Sequence, residues 1–183
     1  MKSAKKILAL ILAGVMALAL LTGCGKATSL NRTMAEGLAE YAKSSLAELG
    51  NENNISVSYQ VPELRRDIAP LFDETWITYS EADGCDVLNE NQMVNDKTVK
   101  ATLTDILRTY ISATSSVNFL VTDVTDTKTP SMEILNLAGS TIAFRTADPR
   151  TFDPVSVTTI KIAVTHKTVN GRTYALTVVI FEA

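Results

Sequence analysis

The chain has 183 residues, 46% of them hydrophobic, with 17 basic against 20 acidic side chains and a net charge of −3. That length makes one domain with room for a real core, and the acidic balance speaks against nucleic acid as a partner. Two cysteines and one histidine are too few to assemble a zinc site from thiolates and imidazoles.

Lys2, Lys5 and Lys6 open the chain, and no charge follows until Lys26. The strongly apolar part, residues 7–21, spans 15 positions, short of the roughly 20 that a membrane-crossing helix takes. A basic start, a short apolar run and then small residues is the make-up of an export signal. Here the run closes on Leu21-Thr22-Gly23-Cys24, which resembles the lipobox of bacterial lipoproteins. The resemblance implies that the Cys24 thiol receives a diacylglycerol, that a signal peptidase cuts before it, and that residues 1–23 are lost. Two acyl chains at about 0.8 kcal/mol per buried methylene give stable attachment. The partner so implied is a cell membrane, held on its extracytoplasmic face.

On this reading residues 24–29 are a short lipidated tether and residues 30–183 a single domain. Three basic residues and no acidic ones leave with the signal, so 14 basic face 20 acidic residues and the mature charge is −6. Residues 25–29 span at most about 3.5 Å each, which keeps the domain within roughly 20 Å of the lipid.

Leu30, Met34, Leu38, Tyr41, Leu46 and Leu49 recur at helical spacing and predict a first helix with one apolar stripe, ended by Gly50 and "NENN". Alternation through Ile55, Val57, Tyr59 and Val61 predicts a strand closed by Pro62. Leu64, Ile68, Leu71, Phe72, Trp76 and Tyr79 fit a helical face that Pro70 should kink, although "WITY" suits a strand as well. "SEADGCDVLNENQMVND" reads as an acidic loop. Val99, Leu103, Ile106, Leu107, Tyr110 and Ile111 predict a further helix, with Asn95 or Asp96 placed to cap it.

From Val117 onward threonine, valine and isoleucine favour strands, at 118–124, 140–146, 156–168 and 172–181, with Thr129-Pro130 opening a short helix toward Gly139. Asn170-Gly171 marks a hairpin. A two-residue turn suits that pair, but apolar matching favours a three-residue loop, 169–171. It sets Val164 opposite Leu176 and His166 opposite Tyr174, and turns Lys161, Thr165 and Lys167 outward. Helices first and strands afterward make an α+β domain, its N-terminal helices packed on one face of a C-terminal antiparallel sheet that ends in a long hairpin. The element order is similar to that of the cone-shaped NTF2-like domains, in which helices and a curved sheet often enclose a pocket.

Chemistry-bearing residues are sparse. His166 closes the end of an apolar face. Cys85 would be left a lone thiol, and the flanking Asp83 and Asp86 disfavour its thiolate. Asp123 and Asp126, and the loop acids Glu81, Asp83 and Asp86, match no calcium loop and read as solvated turns. Trp76 and Tyr79 form part of a core sooner than a sugar-stacking surface. Asp148-Pro149 and Asp153-Pro154 make a stiff connection carrying Arg150 and Phe152. No catalytic residue, metal site or cofactor follows from this set. The expected role is non-catalytic binding or envelope organisation with an unidentified ligand, the alternative being a small cell-wall-directed hydrolase using Asp or Glu carboxylates.

Overall fold

The computed structural model describes residues 30–183. The expected signal peptide, lipobox and Cys24 tether fall on residues 1–29, outside the described residues. Among the described residues no helix is long and apolar enough to cross a membrane.

In chain order the elements are helix α1 (Leu30–Glu48), β1 (Ser56–Ser58), a π-helical turn (Leu64–Ile68), a 3-10 turn (Glu74–Trp76), β2 (Ile77–Ser80), β3 (Cys85–Leu88), β4 (Met93–Val94) and β5 (Lys97–Thr98). Helix α2 (Val99–Leu107), β6 (Ser115–Asp123), α3 (Pro130–Ala138), β7 (Ile142–Thr146), a 3-10 turn (Pro154–Ser156), β8 (Thr159–Val169) and β9 (Arg172–Glu182) complete the chain. The fold is α+β, with a five-stranded sheet in the order β1-β8-β9-β6-β7. Its long pairs are antiparallel, and β1 alone runs parallel to its neighbour, with Val57 opposite Ile160. Both cores and all five strands of this sheet lie within residues 30–183, so a chain beginning at Gly25 holds every described element of the fold.

α1 and α3 cover one face of the sheet. Met34, Ala35, Leu38, Ala39, Ala42 and Leu46 pack there with Ile134 and Leu137 of α3 and with Ile160, Ile162 and Val179. The buried stripe of α1 is thus partly alanine, while Leu30, Tyr41 and Leu49 stay exposed. Gly37 lets the two helices close up: a Cβ there would stand 2.3 Å from Ile134 Cδ1.

The opposite face is covered too. Leu64 and Ile68 of the π-helical turn, Phe72, Trp76 and the α2 residues Val99, Leu103 and Leu107 pack with Val117, Phe119, Leu176, Val178 and Ile180. Trp76 is fully buried, edge-on to Phe72 at 5.7 Å and to Phe119 at 6.2 Å between ring centroids. Every residue from Tyr174 to Ile180 is therefore buried, whichever way it points.

This double burial corrects the expected hairpin. Val164 lies opposite Thr177 and His166 opposite Ala175, and Asn170-Gly171 is a two-residue turn. Both turn residues have positive φ, 49° and 85°, the primed geometry that matches strand twist. With apolar residues on both faces of β9, matching aliphatics no longer selects a register, and the turn decides it. Lys161, Thr165 and Lys167 face the second covering layer instead of water. Lys167 Nζ donates to the carbonyls of Ala69 (2.6 Å), Pro70 (3.2 Å) and Phe72 (2.5 Å), pinning that layer to the hairpin.

Three further expectations are corrected. The helix predicted through 64–79 is one π-helical turn closed by Ala69 N–H to the Leu64 carbonyl at 2.8 Å, ending where Pro70 has no N–H to continue it. "WITY" then enters β2. The acidic loop supplies the turn at Gly84, φ +67°, and the strand β3 of the hairpin β2–β3, with Asp86 opposite Tyr79 of β2. The cap of α2 is Thr98, whose hydroxyl accepts from Ala101 N–H at 3.1 Å.

Candidate apolar groove

The asparagines after Gly50 build one end of the site. Asn51 is buried at the close of α1, and its Nδ2 donates to the Pro154 carbonyl at 2.8 Å and the Val157 carbonyl at 2.9 Å. Asn53 Nδ2 adds bonds to Val155 and Val157 at 3.0 and 3.1 Å. The segment before β8 is thereby held against the end of α1.

Between that segment, α1 and the exposed part of the sheet lies a groove of about 380 Å³. Leu38, Ala42 and Leu46 form one wall, and Ala138, Phe152 and Pro154 stand across from them. The floor is Leu120, Val179 and Phe181. Tyr41, Ser45 and Leu49 line the α1 rim, where Leu49 is 61% exposed. Large apolar side chains left in water beside a concave apolar surface mark a place where something else is buried.

A polar row crosses this floor. Asn118 on β6 pairs with Arg145 on β7 and with Val179 on β9, while Ser116 pairs with Phe181. Asn118 Nδ2 donates to Ser116 Oγ at 3.1 Å. The described residues lining the groove include one cation, Arg145, and no carboxylate. Among the described residues none forms an ion pair with Arg145.

The residues singled out by sequence lie elsewhere, Phe152 excepted. His166 joins three elements: its Nδ1 is 2.6 Å from Asn31 Oδ1 of α1, and its Nε2 meets Glu133 Oε1 of α3. Both ring nitrogens are thus engaged inside the fold, and neither is left for a substrate. Asp123 Oδ1 accepts from Thr125 N–H at 2.9 Å in a turn after β6. Arg150 pairs with Asp148 at 3.0 Å. Cys85 is a partly exposed free thiol on β3. Trp76 is core and Tyr79 is 63% exposed, so the two form no joint sugar-stacking face. Among the described residues no three His, Cys, Asp or Glu side chains gather to hold a metal ion.

A second, more open cleft contains two acids, Asp67 and Asp105, as carboxylate hydrolysis would need. Each is engaged by a base. Arg66 Nη2 donates to Asp67 at 2.6 Å and Lys97 Nζ to Asp105. These hydrogen bonds hold both carboxyls below the usual carboxylate range, whereas a general acid in glycoside cleavage must be held above it.

No protein-family model matches the chain, and neither a curated protein nor a solved structure matches it. The likeness to NTF2-like domains therefore rests on element order alone.

Proposed function

We propose that this protein is a lipid-anchored, extracytoplasmic binding module whose groove between α1 and the sheet takes a small apolar ligand. The observation that carries the reading is the groove itself: aliphatic and aromatic walls around a few polar groups, with exposed Leu49 and Tyr41 at its rim. Its volume, about 380 Å³, falls within the roughly 300–1,000 Å³ of small-molecule sites. The placement comes from the lipobox-like Leu21-Thr22-Gly23-Cys24 and the short tether that follows. A domain held against lipid meets apolar molecules at high local concentration, and a groove gives them a water-free place to bind.

The test uses the chain from Gly25 onward and the neutral dye Nile red. Dye fluorescence should rise on binding, and Ser45→Trp should abolish the rise by filling the groove while leaving the thermal unfolding midpoint unchanged. Equal binding by the folded Ser45→Trp variant, or none by the wild type, contradicts the reading.

A further inference from the structure

The polar row on the groove floor is a set of donors. Ser116 Oγ accepts from Asn118, so its own O–H is left to donate. The Asn118 amide keeps a second N–H after that bond. Arg145, directly opposite Asn118, brings five N–H groups and a fixed positive charge. No acid among the described residues lines the groove to consume that charge. Arg145 is exposed at the groove, and with no described carboxylate partner its guanidinium is left to meet an anion.

We infer that the groove binds a single-chain carboxylate amphiphile of the fatty-acid type, its carboxylate on Arg145 with Asn118 and Ser116 and its alkyl chain between Leu46 and Val179. The inference rests on the groove being the binding site. Three observations choose the class. The planar guanidinium matches the fork of an oxyanion, carboxylate or phosphate. One cation balances one negative charge. The volume lies at the low end of ligand sites, which suits one chain better than the two of a phospholipid.

Displacement of bound Nile red from the chain beginning at Gly25 tests this, with dodecanoate, dodecanol and dodecyl phosphate as competitors. Dodecanoate should compete at about tenfold lower concentration than dodecanol, the fold-change of one charge-assisted hydrogen bond. Arg145→Gln should remove that gap while Nile red binding persists. Equal competition by dodecanoate and dodecanol, or a gap that survives in Arg145→Gln, would overturn the carboxylate and leave the groove standing. Dodecyl phosphate outcompeting dodecanoate would overturn it in favour of a phosphate head. A self-associated chain whose dimer is lost in Ser45→Trp would show that a second copy occupies the groove, and overturns it as well. Failure of Nile red to bind at all removes the groove reading first, and this one with it.

Discussion

Glu133 of α3 and His166 of β8 meet inside the layer that forms the groove wall, with the Glu133 side chain 8% exposed. The contact ties α3 to the sheet, and Asn31 brings α1 to the same imidazole at 2.6 Å. His166→Ala would strand the Glu133 carboxyl, and a hydrogen bond to a charged group is worth about 1.5–3 kcal/mol. Urea denaturation should show a loss of that order. Glu133→Gln keeps a hydrogen-bonding partner and should lose less. An unchanged His166→Ala variant would mean that the contact carries no stability.

Tyr110 is pushed up to about 12 by burial and by its 3.0 Å hydrogen bond to Glu63. Its folded pKa lies above the ordinary phenol value, so the folded state holds the proton more tightly than the unfolded chain does. The associated stability is fully present below about pH 10 and is lost as pH rises through about 12. Burial raises Tyr59 and Tyr174 as well, so alkaline destabilisation is shared. Tyr110→Phe should flatten the fall in unfolding free energy over that window without abolishing it. An identical slope in wild type and variant would contradict the assignment.

Thr177 is fully buried opposite Val164, and its Oγ1 has no hydrogen-bond partner among the described residues. A buried, unpaired hydroxyl costs about 1–3 kcal/mol. Thr177→Val has nearly the same shape and puts a methyl against Val164. Calorimetry should find the variant more stable by about 1 kcal/mol. A destabilised variant would show that the hydroxyl is satisfied.

The same Val164–Thr177 pair shows where the sequence stops being legible. Periodicity located α1 and α2, strand-forming composition located the four strands β6 to β9, and Thr129-Pro130 marked the start of α3. The sequence offered no sign that Leu64 to Trp76 and α2 cover the face opposite α1, and the short strands β2 to β5 are too brief to carry a period. Without that layer β8 and β9 looked one-sided, and the register inferred from apolar matching was off by one. The groove was hidden for a related reason. Asn118 and Arg145 are 27 positions apart in sequence and become a pair only through the β6–β7 ladder. Asn51 and Asn53 read as a helix terminator, though their side chains hold the wall that contains Pro154. Tyr41 and Leu49 read as part of the apolar stripe of the first helix, and the structure leaves both exposed at the groove.

The groove reading is tested most directly by methyl NMR of the chain from Gly25 onward, titrated with dodecanol so that head-group charge plays no part. Methyl shifts should move at Leu46, Leu120 and Val179, while Leu64 and Leu103 in the opposite core stay still. Shifts centred on Leu64 and Leu103, or none anywhere at saturating dodecanol, would contradict the account.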